Sequence, residues 1–247
     1  MQIVKLDSVE STNKYCEVLD LAKVEDFTCY WALEQTSGIG QRGNVWHSAP
    51  RQNLTFSLIL HPTFLHASRQ FLLTQALSLA LCDFISPLTY HLSPFTSHLS
   101  PSIKWPNDIY VDGKKICGTL ITSHLSPLTS NLSTCICGIG LNVNQTDFPD
   151  WLPNPTSLKL LTGETYDLEK TLCNLLQCIE HRYNALSNGA DIQDEYLSHL
   201  LWLGEQRHYT YLGTLVDATI TGVDPFGRLL LTTADDRQLI CNLKEIS

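Results

Sequence analysis

A turn at mid-chain constrains this sequence most. Residues 103–111 and 116–122 read as strand, and Asp112-Gly113 joins them. Asp-Gly readily takes the left-handed backbone of a tight two-residue turn, so the flanking runs are expected to fold back as a β-hairpin. Further strand-like runs lie at 1–6, 27–34, 53–60 and 134–143. Helical spacing appears at 10–23, with Ser11 or Thr12 near the N-cap and Tyr15, Val18, Leu19 and Ala22 on one face. It appears again at 67–85, with Ser68 as the cap, and at 168–186, where Leu168, Leu172, Leu175, Leu176, Ile179, Tyr183 and Leu186 make one core-packing stripe. From 205 the pattern changes to four short strands, 207–212, 214–223, 228–233 and 238–243, separated by tight turns. A β unit of roughly 40 residues is too small to stand alone and should pack on what precedes it. The expectation is an α+β chain, with a mixed β-sheet packed with helices over 1–204 and a small C-terminal β domain over 205–247.

The 247 residues carry 16 Lys+Arg against 25 Asp+Glu, a formal net charge of −9, with 43% hydrophobic and 17% charged residues. That balance is globular. The acidity argues against general binding to nucleic acid or an anionic membrane, which repel negative charge. It leaves room for a phosphate-bearing small ligand held by local cations. Nine cysteines, at 16, 29, 82, 117, 135, 137, 173, 178 and 241, include no Cys-x-x-Cys pair, and the N-terminus shows no secretory apolar core. Buried thiols in the cytoplasm are expected. No apolar run approaches the roughly 20 residues that span a bilayer. Three near-copies, His91-Leu92-Ser93-Pro94, His98-Leu99-Ser100-Pro101 and His124-Leu125-Ser126-Pro127, fall in the stretches 88–101 and 123–133. They read as loop insertions, because closure entropy grows slowly with length. Nothing in the sequence pins their histidines into converging metal ligands.

Gly38-Ile39-Gly40-Gln41-Arg42-Gly43 fits G-x-G-x-x-G, but a strand follows where a dinucleotide turn needs a helix, and no acidic residue lies about 20 positions on. What remains is flexible backbone rich in N–H donors beside Arg42, suited to an anion or to an ordinary surface loop. Lys104-Trp105-Pro106-Asn107-Asp108 is more specific, packing a cation, an amide and a carboxylate around a proline. Asp108 is a candidate Mg²⁺ ligand and Asn107 a candidate partner for a ribose or phosphate oxygen. The hairpin would bring Lys115 to the same locus, where a unit-charge attraction at 4 Å is worth about 4 kcal/mol at an effective dielectric of 20, before desolvation. Gly138-Ile139-Gly140-Leu141-Asn142 ends another strand. Its glycines admit a flat ligand and Asn142 offers donor and acceptor, or the segment is a plain tight bend.

Taken in order, these segments resemble the biotin–protein ligases. Ser11-Thr12-Asn13 is similar to their biotin-binding Ser-Thr-Asn. Gln35 to Gly43 is similar to the Q-x-x-G-R-G-x-R-G loop, with Trp46 and Asn53-Leu54 after it. Lys104 to Asp108 matches K-W-P-N-D, Gly113 to Gly118 matches G-[RK]-K-[LIV]-x-G, and Gly138 to Asn142 matches G-[IA]-G-[ILV]-N. The resemblance implies a catalytic domain of the class II aminoacyl-tRNA-synthetase type with a small C-terminal SH3-like β-barrel. It implies an ATP-dependent, AMP-forming biotin–[biotin carboxyl carrier protein] ligase, with ATP, biotin and Mg²⁺. The partner implied is the biotin carboxyl carrier domain of a biotin-dependent carboxylase, without nucleic acid or membrane; a homodimer is compatible. Catalysis falls to Lys115 and Arg42. Biotin falls to Ser11, Thr12, Asn13, Gln35, Ile39, Gly40, Gln41, Trp46, Lys115, Gly118, Gly138 and Gly140. ATP falls to Arg42, Lys104, Asn107, Asp108 and Asn142, and the metal to Asp108.

Two departures stand out. The family's first loop arginine is Ile39 here, and the first motif begins at Ser11, so a repressor role through an N-terminal helix-turn-helix is not expected. The alternatives are a lipoate or octanoate ligase of the same superfamily, and a catalytically impaired binder of biotin or its adenylate.

Overall fold

The computed structural model describes residues 1–90 and 99–246; the repeat residues 91–98 lie outside the described residues. Seven strands form one sheet: β1 (Gln2–Leu6), β2 (Thr28–Ala32), β3 (Leu54–Leu60), β4 (Ser102–Lys104), β5 (Asp108–Val111), β6 (Lys114–Leu125) and β7 (Leu132–Leu141). Their order is β1-β2-β3-β7-β6-β5-β4. The connection from β1 to β2 carries a helix, α1 (Thr12–Glu17), and these two strands run parallel; the other neighbours are antiparallel. The mixed sheet expected from sequence is the sheet observed.

The central strands are buried on both faces, and side chains alternate between them. On β3, Phe56, Leu58 and Leu60 enter the main core while Ile59 packs on the α1 side. On β7, Cys135, Cys137, Ile139 and Leu141 enter the core while Ile136 joins Ile59. By the same period of two, Ser57, Gly138 and Gly140 belong to the α1 side. The core face is covered by α2 (Phe71–Tyr90) and α4 (Leu168–Ser187), with α3 (Leu158–Thr162) and α5 (Gln193–Ser198) beside them. The predicted stripe on α4 is the buried one: Leu172, Leu175, Leu176, Ile179, Tyr183 and Leu186. Asp167 caps this helix by accepting from the Lys170 N–H at 2.8 Å. Four further strands, β8 (Gln206–Tyr211), β9 (Thr214–Val223), β10 (Leu229–Thr233) and β11 (Gln238–Cys241), make a separate antiparallel sheet in the order β11-β10-β9-β8. The main core continues into it through Tyr209, Ala218, Ile220 and Leu229.

Several sequence expectations need correction. The helix expected over 10–23 is only α1 plus a 3-10 turn at Leu21–Lys23, and Val18 is exposed. Val18 and Asp20 are weak helix formers and no packing compensates. The single strand expected over 103–111 is two, β4 and β5, with Lys104 pairing Asp108 across a turn. Pro106 has no N–H to give a ladder, so the chain turns there. The 67–85 helix is preceded by a 3-10 turn capped by His66, not Ser68, and it runs on past Pro87 to Tyr90. Thr89 Oγ1 offers a proton to the Ile85 and Ser86 carbonyls in that last turn. Ala67–Thr89 is also long and apolar enough to cross a membrane, contrary to the expectation of no such run, but most of it is buried as a core helix.

Candidate active site

A cavity of about 540 Å³ lies between the α1 side of the large sheet, the loop 37–50 and the C-terminal sheet. At one end α1 delivers Ser11, Thr12 and Asn13. Ser11 holds the N-cap position with extended backbone yet makes no capping bond, so its hydroxyl is left for the cavity. The Thr12 N–H donates to Gln35 Oε1 at 2.8 Å, and the Asn13 amide donates to the Leu120 carbonyl at 3.2 Å. Ser57, which the sequence reading missed, lies fully buried beneath them, its Oγ 2.7 Å from Thr12 Oγ1 and 2.6 Å from Asn13 Oδ1. Its only sequence signal is a hydroxyl placed where a buried strand would take an apolar side chain. Burial pushes the neighbouring Cys16 thiol up to about 12, so it stays protonated against Ser57. Gly138 must lack a side chain, because a Cβ there would overlap the Asn13 amide.

The glycine-rich loop folds on itself. Trp46 N–H donates to the Gly38 carbonyl at 3.0 Å, Gly40 N–H to the Asn44 carbonyl at 2.7 Å, and Ile39 bridges Val45. Gln41 opens the 3-10 turn Gln41–Gly43 at its tip; the Arg42 side chain lies outside the described residues. Ile39, Gly40, Gln41 and Trp46 all line the cavity. Trp46 lays its indole on Gly140, where a Cβ would overlap the ring. The flat group that this glycine admits is therefore the protein's own tryptophan. Its Nε1–H is buried with no partner among the described residues.

The charged end comes from the β4–β5 turn and β6. Lys115 Nζ donates to Asp108 Oδ2 at 2.6 Å, both side chains 30% exposed. A register shift between Ile109 and Tyr110 aims this part of the hairpin, setting Lys115 opposite Tyr110. Gly118 leaves room for the pair, since a Cβ would stand 3.1 Å from Asp108 Oδ1 and 3.4 Å from Lys115 Nζ. The backbone of Lys115 is clamped by Asn154 and Thr156: its N–H donates at 2.7 Å and its carbonyl accepts at 2.9 Å. Lys104 completes this end, its ammonium 5.6 Å from the Tyr110 ring and 5.8 Å from the Trp202 ring.

Asn107 and Asn142 are placed differently from expectation. Neither lines the cavity. Asn107 is buried and donates to the Thr119 carbonyl at 2.7 Å, bracing β6. Asn142 is buried and donates to the Thr156 carbonyl at 2.9 Å, bracing the segment that clamps Lys115. The sequence offered amides; only packing revealed that they face inward. Sequence reasoning also missed the C-terminal wall, to which Trp202, Arg207, His208 and Tyr209 contribute. Arg207 lies 4.3 Å over the Trp202 ring. Trp202 holds a φ of +67°, an uncommon conformation for a bulky residue and one that clusters at functional sites.

Lys104, Lys115 and Arg207 outnumber Asp108 in this cavity, so it suits a polyanion. No cluster of three His, Cys, Asp or Glu able to hold a metal occurs among the described residues. Mg²⁺ typically takes one or two carboxylates with water and substrate phosphates, and Asp108 beside a polyanion site fits that donor set.

Known proteins resemble this chain over nearly its whole length. A solved structure, the biotin protein ligase from Aquifex aeolicus in complex with biotin and ATP, is 26% identical with a TM-score of 0.80, covering 100% of this chain and 97% of that one. The bifunctional ligase/repressor BirA of Bacillus spizizenii is 33% identical over 94% of this chain and 70% of its own length. The biotin–[acetyl-CoA-carboxylase] ligase of Paracoccus denitrificans is 29% identical over 95% of this chain and 96% of its own. The family model for biotin/lipoate A/B protein ligases matches residues 6–142, more than half the chain, and with these likenesses the chain belongs to that family.

Proposed function

We propose that this protein is an ATP-dependent biotin–protein ligase. The observation that carries the reading is one cavity with a neutral hydrogen-bonding end, Ser11, Thr12 and Gln35, and a cationic end, Lys104 and Lys115. The first end suits the ureido head of biotin and the second suits ATP. A lipoate ring offers no urea to satisfy those polar groups, and leaving them unmatched in a buried site costs about 1–3 kcal/mol each.

In the first step an oxygen of the biotin carboxylate attacks the α-phosphorus of ATP. A new O–P bond forms, the bond to the β-phosphate oxygen breaks, and pyrophosphate leaves. Two anions must approach, and the Lys115 ammonium, held by Asp108, would bond both. Lys104 and Arg42 offset the phosphates. Asp108 would hold Mg²⁺, which when bound neutralises phosphate charge. Asn107 and Asn142 serve from behind the wall, fixing β6 and the Lys115 clamp. Trp46 walls the valeryl chain, with Ile39, Gly40, Gln41, Gly118, Gly138 and Gly140 shaping the remainder. In the second step the amine of an acceptor lysine attacks the acyl carbon of biotinyl-5′-AMP. The C–N bond forms, AMP leaves and one proton passes to solvent. The loop 37–50 keeps water from the anhydride meanwhile.

The acceptor is read as the biotin carboxyl carrier domain of a carboxylase. Residues 1–204 act as the catalytic domain and 205–247 as a small SH3-like barrel. Nine free cysteines, seven of them buried, support reading a reducing compartment such as the cytoplasm as the setting of the reaction. Self-association into a homodimer is compatible with this reading. Lys115→Ala tests the chemistry: biotin-dependent ATP–pyrophosphate exchange should fall at least about 100-fold. Exchange at the wild-type rate would refute the assignment.

A further inference from the structure

We infer that Ser57 sets the direction of the hydrogen bonds at the neutral end of the cavity, so that Thr12 faces the ligand as an acceptor and Gln35 as a donor. The inference rests on the biotin reading and deepens it. The order starts from a fixed point. The Leu120 carbonyl can only accept, so Asn13 turns its Nδ2 toward it, at 3.2 Å, and its Oδ1 the other way. Asn13 Oδ1 can also only accept, and it lies 2.6 Å from Ser57 Oγ. Two oxygens at that distance need a proton between them. Ser57 has one proton, so it is given to Asn13. Ser57 Oγ also lies 2.7 Å from Thr12 Oγ1, and the proton in that contact must then come from Thr12.

The hydroxyl proton of Thr12 is thereby turned inward. Its approach to Gln35 Oε1 is 3.2 Å, longer than either hydroxyl contact of Ser57. Gln35 Oε1 is filled instead by the Thr12 backbone N–H at 2.8 Å, which leaves Gln35 Nε2 beside Gly38 with no partner among the described residues. Thr12 thus offers lone pairs and Gln35 offers N–H groups, next to each other. That is the complement of a urea edge, which presents an N–H beside a C=O. Ser57 has no exposed surface and cannot touch the ligand, so it is a positioning residue. Gly138 is part of the device, because its missing side chain lets Asn13 reach Ser57.

The test measures biotin affinity calorimetrically and pyrophosphate exchange kinetically on the full chain. Ser57→Ala should weaken biotin about tenfold, the loss of one ordered hydrogen bond, while kcat and the KM for ATP stay within about twofold. In a Thr12→Val background the same change should cost less than about twofold, since no hydroxyl is left to order. Ser57→Cys keeps a side chain of similar shape with a weak donor and should lose about threefold. That variant carries the test if Ser57→Ala does not fold. Equal losses in both backgrounds, or wild-type affinity in both Ser57 variants, would overturn the inference while leaving the ligase reading intact. A wild-type chain that binds no biotin would overturn that reading and this inference with it.

Discussion

At the scale of single residues, the site is defined as much by missing side chains as by reactive ones. Gly138 makes way for Asn13, Gly140 for the Trp46 indole and Gly118 for the Lys115–Asp108 pair. Gly140→Ala should therefore dislodge Trp46 and weaken biotin about tenfold or more, since overpacking a tight site typically costs about 1–3 kcal/mol. Titration calorimetry checks this, and tight binding by the alanine variant would show that the loop adapts. Most of these residues were legible as types at given spacings. Lys115, Lys104, Asp108, Gln35 and Ser11 to Asn13 do meet in one cavity. Ser57 was not legible, because a buried serine in a strand announces nothing until its partners, from residues distant in sequence, are in place. Asn107 and Asn142 were read as reaching the ligand because sequence shows an amide but not the face it takes.

At the scale of elements, the strands and the two long helices were readable because their periods are long and clean. Errors clustered where a local breaker competes with context. Pro106 splits one expected strand into two, whereas Pro87 fails to stop α2. The short helices α3 and α5 gave too few turns to register. One tie between elements has a measurable signature. Arg182 on α4 donates to Asp83 on α2 at 2.6 Å and to Glu195 on α5 at 2.6 Å. The Arg182 guanidinium holds the Glu195 carboxyl below its ordinary value near 4.5. A depressed carboxylate stabilises the fold above its unfolded-state value and loses that contribution as pH falls through the folded one. Arg182→Ala should lower stability by about 1 kcal/mol at pH 7, because both carboxylates are partly exposed and screened by solvent, and flatten the decline below pH 4.5. Urea melts across that range read both effects, and an unchanged acid limb would count against the clamp.

At the scale of the whole molecule, the small C-terminal sheet helps to wall the cavity. The Trp105 indole, in the turn between β4 and β5, donates at 3.0 Å to the carbonyl of Gly227, in the turn between β9 and β10. The Trp202 ring lies 5.8 Å from the Lys104 ammonium and 4.3 Å from the Arg207 guanidinium. That this unit packs on what precedes it was legible in the sequence; these contacts were not, because the two segments lie about a hundred residues apart and meet only through packing of the finished core. Trp202→Ala should raise the KM for ATP about tenfold, with biotin affinity held within about twofold, by releasing both cations from their shared ring. Equal losses for both substrates in steady-state kinetics would mean that the wall serves stability alone.

A single cavity that activates biotin and passes it to an acceptor lysine has a covalent product to show for it. Intact-mass spectrometry of an acceptor domain tests it most directly, after incubation with this protein, biotin and Mg²⁺-ATP, with each component omitted in turn. A single biotin adduct on one lysine is expected, absent without ATP, without biotin and with Lys115→Ala. An unmodified acceptor together with no biotinyl-5′-AMP in the complete mixture would contradict it.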